Sequence, residues 1–150
     1  MGEFEIHGFD EMLAELDRIG RFEDAAPKML EEAAPILQEE VVRQAAQHKD
    51  TGEMEASIKP TGVMAGKSGN YYICVRPTGY ASKKWKYARK KDGKGEGSKR
   101  PVRNMEKLIW LEFGTKKQAA TPILKTATAN ATPKVRRKLQ EIFNREIGKG

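Results

Sequence analysis

Asp50, Glu53 and Glu55 stand close together, Cys74 is the one thiol, and His7 and His48 are the two imidazoles. With these groups the chain could attempt acid–base or nucleophilic chemistry. Paired carboxylates act as acid and base when a pocket and a neighbour push their pKa values apart. A thiol nucleophile needs a base beside it. Neither arrangement is visible in the spacing. A small cysteine in a strand pattern usually serves packing, and two distant histidines have no metal-ligand spacing. His7 and His48 read as surface or turn residues. With no catalytic set, no cofactor fingerprint and no metal cluster, an enzyme is the weakest class.

Two short strings carry more information. Asp50-Thr51-Gly52 closes on Ser57-Ile58, and Leu111-Glu112-Phe113-Gly114-Thr115 is followed by Thr121-Pro122-Ile123-Leu124 and Ala127. Asp and Thr side chains accept hydrogen bonds from backbone donors two or three residues on, and glycine relaxes the backbone, so the first string predicts a turn or a single helical turn. The second would place the Glu112 carboxylate and Thr115 hydroxyl at a tight turn, with Phe113 anchored in the core. The plain reading is that each string ends one element and starts the next. The alternative is a direct contact between subunits.

The formal charge of +7 is local. Residues 82–103 hold ten basic side chains, Lys83, Lys84, Lys86, Arg89, Lys90, Lys91, Lys94, Lys99, Arg100 and Arg103, against Asp92 and Glu96. That segment is +8 and the rest of the chain sums to −1. Asp92-Gly93-Lys94-Gly95-Glu96-Gly97-Ser98 has turn or loop composition, so the segment predicts a mobile positive arm. Three roles are open: disorder in the free protein, contact with an acidic partner on assembly, and DNA binding. Lysines and arginines neutralise phosphates without reading sequence, and Tyr80, Trp85 and Tyr87 would stack on bases of open strands.

A chain of 150 residues fits one domain, 1–150, with the basic insert at 82–103. Such a fold buries roughly 68–70% of its unfolded surface. Its 38% hydrophobic and 33% charged residues imply a modest core and much surface left for partners. One cysteine allows no internal disulfide. The N-terminus lacks the basic start and apolar core of a signal peptide, and no run approaches the roughly 20 apolar residues of a membrane span. The expected location is the cytoplasm until assembly.

The elements that must position these residues follow from periodicity. Glu3 to His7 alternates like a short strand. Phe9, Met12, Leu13, Leu16 and Ile19 give one helix with a buried face, ended by Gly20. Asp24 caps a second, with Met29, Leu30, Ala33, Leu37, Val41 and Ala45 as its stripe, a kink or break near Pro35, and an end near Gln47. Ile58 enters a strand. After the Gly66–Asn70 turn, alternation from Tyr71 to Arg76 predicts its partner in a β-hairpin. Asn104 caps a helix through Glu112, a buried strand being the alternative. Thr121-Pro122 starts another helix by hydroxyl cap and proline, and Thr132-Pro133 repeats that grammar. Val135, Leu139, Ile142, Phe143 and Ile147 line the last helix. The fold class is α+β: a small antiparallel sheet, a hairpin plus short strands, packed with N- and C-terminal amphipathic helices.

This layout resembles the head-to-tail joining proteins, also called neck or minor tail-component proteins, of long-tailed bacteriophages. In that family an N-terminal helical region leads to Asp-Thr-Gly with Ser-Ile, a β-hairpin, Glu-Phe-Gly-Thr, a proline-led helix start and a C-terminal helix. Here these fall on Asp50, Thr51, Gly52, Ser57 and Ile58, then Glu112, Phe113, Gly114 and Thr115, then Pro122 and Leu124. The chain departs from the pattern at His48-Lys49, where proline is common, and at Tyr80-Ala81, which the basic insert separates from Glu112. The resemblance implies a virion protein at the head-tail junction, without catalytic residue or cofactor. Its partners would be copies of itself in a ring and neighbouring head-completion or tail proteins, with DNA passing through and no membrane. Candidate partner or DNA contacts are Lys83, Lys84, Trp85, Lys86, Arg89, Lys90, Lys91, Lys99, Arg100 and Arg103.

Overall fold

A computed structural model describes residues 9–89 and 96–148. The strand expected at Glu3–His7 lies outside them. Helix α1 (Phe9–Ala46) is a single element that runs through Gly20, Pro27 and Pro35. This corrects the expected stop at Gly20 and the second start at Asp24, and of the kink or break expected at Pro35 it removes the break. The local penalties are about 1 kcal/mol for glycine and about 3 kcal/mol for proline. Burial of Met29 and Val41, part burial of Leu30, Leu37 and Val42, and the close packing of Ala33, Ala34 and Ala45 oppose them, since each large apolar side chain contributes up to roughly 1.5–3 kcal/mol when fully buried. The first turns of α1 differ from expectation in another way. Met12, Leu13, Leu16 and Ile19 are exposed rather than buried.

Helix α4 (Ile123–Glu146) lies antiparallel on α1. Lys28 Nζ donates to Glu146 Oε1 at 2.9 Å, Arg145 Nη2 to Glu32 Oε1 at 2.7 Å, and Asn130 Nδ2 to Glu40 Oε1 at 3.0 Å. The register therefore descends on α4 as it climbs on α1. Thr132-Pro133 starts nothing; it is interior to α4, where the Thr132 hydroxyl donates to the Thr128 carbonyl at 2.6 Å.

Between the long helices come α2 (Glu53–Ala56), β1 (Ile58–Pro60), β2 (Met64–Ala65), β3 (Tyr71–Tyr72), β4 (Val75–Pro77), β5 (Tyr80–Arg89), β6 (Glu96–Arg103) and α3 (Asn104–Phe113). The expected hairpin is present as two antiparallel ladders. Ile58 stands opposite Pro77 in β1–β4, and Met64 opposite Tyr72 in β2–β3. Cys74 sits at the break between β3 and β4, exposed rather than packed. Strands β5 and β6 form a separate two-stranded ribbon that leads into α3. Residues 104–113 are thus helical, not a strand. Asn104 is not the cap of α3; its amide Nδ2 donates to the Thr78 carbonyl at 2.8 Å, and the Glu106 carboxylate accepts the Arg103 N–H at 3.0 Å.

One core joins these pieces. Val41 and Ala45 of α1, Met54 of α2, Ile58 of β1, Leu108 of α3, and Ile123 and Ala127 of α4 pack together, all buried. The architecture is α+β, as expected.

Glu40 is a charged residue inside the α1–α4 seam, with only 2% of its surface exposed. Its carboxylate accepts from Gln44 Nε2 and Asn130 Nδ2, each at 3.0 Å, and pairs with Arg43 at 2.7 Å. The Gln44 bond, then the Asn130 bond, hold its pKa below the ordinary 4.5. Glu32 and Glu146 on the same seam are lowered too, first by Arg145 and by Lys28 respectively. A carboxylate depressed in the folded state stabilises above its unfolded pKa, and that stability goes as pH falls through the folded value. Thermal stability should therefore hold from neutral pH down to about 4.5 and fall below it. Glu40→Gln should lower the pH 7 melting temperature and flatten the acid slope, measured by calorimetry across pH; an unchanged slope would remove Glu40 from the explanation.

Candidate functional site

The first string builds a helix start. Gly52, at φ +82°, is the residue before α2, a conformation that glycine adopts freely. The Thr51 hydroxyl faces Glu53, accepting its N–H at 3.5 Å and donating to its carboxylate at 3.2 Å. Asp50 Oδ2 lies 4.0 Å from Lys107 Nζ, a lysine largely buried in α3. At the other end of α2 the Ser57 hydroxyl donates to the Met54 carbonyl at 2.7 Å and accepts from the Thr78 N–H at 3.3 Å. Ile58 enters the core.

Glu53 reaches further. Its carboxylate accepts the Ser82 N–H at 3.2 and 3.3 Å and the Ser82 hydroxyl. These bonds, led by that from the hydroxyl, keep its pKa below the ordinary value. A lowered pKa suits a structural tie and opposes proton donation at neutral pH. Glu53 and Ser57 thus grip both sides of the turn from which the ribbon departs.

The second string is spent differently from the sequence expectation. Glu112 caps α4 from a distance of twelve residues: its carboxylate accepts the Leu124 N–H at 2.7 Å and the Lys125 N–H at 3.2 Å. The Thr121 hydroxyl does not cap, and Pro122 is the flanking residue rather than the first helical one. An anion at a helix N-terminus satisfies orphan donors and complements the dipole. Gly114 and Thr115 turn the chain, with Thr115 bridged to Gln118. Phe113 is 77% exposed, which corrects its expected anchoring in the core. Its backbone is fixed by α3 and by Gly114, so its ring has no structural duty to perform inside. Glu112→Ala should cost roughly 0.5–2 kcal/mol by loss of the cap, while Glu112→Gln, which keeps an acceptor, should cost less. Chemical denaturation of the two variants checks this, and equal losses would contradict the capping role.

The two strings flank one shallow cleft of about 210 Å³, whose walls include Asp50, Thr51, Glu55, Lys107, Trp110 and Leu111. His48 stands exposed at its rim. Among the described residues no group of three or more His, Cys, Asp and Glu side chains is placed to hold a metal ion, and no helix is long and apolar enough to cross a membrane.

The basic insert at 82–103, expected as an arm of loop composition, supplies most of the ribbon. Ala81 and Val102, both buried, fix its root. The backbone of Lys83, Lys84, Trp85, Lys86 and Arg89 runs along β5, with Trp85 opposite Pro101 and Lys86 opposite Arg100. Lys90 and Lys91 lie outside the described residues. Lys99 is exposed on β6. Arg100 makes a bidentate pair with Glu106 at 2.9 and 3.1 Å, and the Arg103 guanidinium lies 5.9 Å from the centre of the Tyr80 ring. Glu106 and Glu40 were not visible as ties from sequence, although Glu106 stands three residues after the Arg103 cap, a spacing that signals a helix start.

A family model described as "Bacteriophage HK97-gp10, putative tail-component" matches residues 10–114, more than two thirds of the chain. No curated protein and no solved structure matches it. The matched stretch runs from the start of α1 to Gly114, and so contains the whole Asp-Thr-Gly turn, the ladders and the carboxylate that caps α4. The chain belongs to the HK97-gp10-like family of bacteriophage tail components.

Proposed function

We propose that this protein is a structural, non-enzymatic component of the phage virion at the head-tail junction, where copies close a ring around the DNA passage and contact head-completion or tail proteins. The observation that carries this reading is the use made of the two strings. Their carboxylates and hydroxyls hold backbone turns and cap a helix, while apolar residues of α1 and Phe113 are left outside. Such a scaffold works by presenting shaped surfaces, and heterologous faces that repeat with a fixed rotation close rings. The virion would be its final location and the host cytoplasm its location before assembly.

Particles made without the gene test the reading. Full heads lying apart from finished tails are expected by electron microscopy; normal particles would refute a junction role.

The ribbon favours a second reading, sequence-independent DNA binding. A two-stranded ribbon carrying most of a +8 segment suits phosphate contact. Neutralising Lys83, Lys84, Lys86, Arg89, Lys90 and Lys91 together should then abolish DNA binding and flatten its salt dependence. A wild-type chain without salt-sensitive DNA binding would end that reading.

A further inference from the structure

The apolar face of α1 is covered along one half and bare along the other. Met29 is buried and Leu30 half-buried against the rest of the molecule, whereas Met12, Leu13, Leu16, Ile19 and Phe22 are 44–55% exposed. The five bare residues recur at helical spacing and so form one stripe. Helix α4 ends at Glu146, and the following Ile147 and Gly148 lie beside Ala14, Asp17, Arg18 and Arg21. The turns of α1 before Ala14 therefore extend past α4. Contiguous apolar surface of this kind on a soluble chain marks a contact with another protein.

A complementary groove exists on the same molecule. Phe22, Met29 and Leu30 of α1, Tyr71 of β3 and Leu139 of α4 line a mostly apolar hollow of about 430 Å³. It overlaps the end of the bare stripe, since Ile19 and Phe22 also form part of its wall and only Met12, Leu13 and Leu16 lie wholly outside it. Phe22 stands at the boundary, its ring centre 6.2 Å from that of Phe143.

Charge decides how the two surfaces meet. Residues 11–24 of α1 carry five acids, Glu11, Glu15, Asp17, Glu23 and Asp24, against Arg18 and Arg21. Helix α4 carries six bases against two acids, with Lys134, Arg136 and Arg137 exposed near Leu139. Pairing two α1 stripes face to face would bring acidic segments together. Seating the first turns of α1 in another copy's groove sets Glu11 and Glu15 against one acid of the groove wall, Glu23, and the excess basic charge of α4 behind Leu139, and complementary potentials steer that approach.

We propose that the first turns of α1, carrying Met12, Leu13 and Leu16, dock in the groove between α1, β3 and α4 of the next copy, so that each subunit inserts an arm and receives one. The contact is heterologous and leaves every subunit with one free end of each kind until the ring closes. This rests on the ring reading above and names the surfaces that would make it.

The test uses full-length chains in a Cys74→Ser background. One chain carries Leu13→Cys, the other Asn70→Cys at the groove rim, and the two are distinguished by a mass tag. On mixing and mild oxidation, alone or with the virion neighbours, a mixed disulfide dimer is expected. Leu16→Glu, an exposed position, should shift the native mass from oligomer to monomer with an unchanged melting temperature. If Leu13→Cys chains link chiefly to each other, or the Leu16→Glu chain assembles like the wild type, the docking proposal is overturned while ring assembly stands. If the wild-type chain associates under none of these conditions, both fall.

Discussion

Gly114→Ala is expected to destabilise the protein by roughly 2–6 kcal/mol, about 1–3 for the backbone conformation and about 1–3 for displaced neighbours. Gly114 has φ +76° and ψ 178°, a region that only glycine occupies without strain. A Cβ built there would lie 2.8 Å from both the Ala120 nitrogen and the Gln118 carbonyl oxygen. Both obstacles are backbone, so no side-chain rotation relieves them. The displaced segment is the short connection that carries the Thr121 N–H to the Leu111 carbonyl at 2.6 Å and brings α4 under the Glu112 carboxylate. The substitution should therefore cost the cap as well as the turn. Urea denaturation measures the loss. A variant within 0.5 kcal/mol of wild type, the range of an ordinary surface change, would show that the turn has room to relax.

Leu108→Ala should cost roughly 2–5 kcal/mol, the range for a buried leucine that leaves a cavity behind. Leu108 has no exposed surface and sits among residues of α1, α2, β1 and α4, so the neighbours that would have to collapse into the space belong to four elements and cannot all follow. Against a total stability of about 5–15 kcal/mol, that loss takes a large share of the margin. Leu108→Met, which conserves volume, should cost less than about 1.5 kcal/mol. Equal melting temperatures for the Ala and Met variants would contradict the placement of Leu108 at the centre of the core. Because this core holds together the surfaces of α1 and α4 proposed to meet between copies, that proposal expects the alanine variant to assemble poorly at temperatures where the Met variant assembles normally.

Much of the framework was legible in the chain because it depends on near neighbours. The stripe from Met29 to Ala45, the face from Val135 to Ile147, the β-hairpin and the start near Pro122 all follow from periodicity or turn chemistry acting within about four residues, whereas 105–113 fitted a helix and a buried strand alike. The two strings do stand at joints between elements, the plainer of the two readings they allowed. Their partners were not readable. Glu112 bonds a backbone twelve positions away, Glu53 reaches Ser82, and Glu40 meets Asn130 across two helices; each contact exists only after separate elements have been laid side by side.

Where reading the sequence went astray, a local rule met a larger tertiary term. Gly20, Pro27 and Pro35 carry real penalties against a helix, yet burial along α1 outweighs them and the helix runs through. Phe113 and the residues from Met12 to Ile19 obey the composition of buried residues and still face outward, and the turns of α1 before Ala14 extend past the end of α4. Apolar periodicity states that a face seeks cover. Whether that cover comes from the same chain depends on where its other helices stop, and only the assembled tertiary structure decides that.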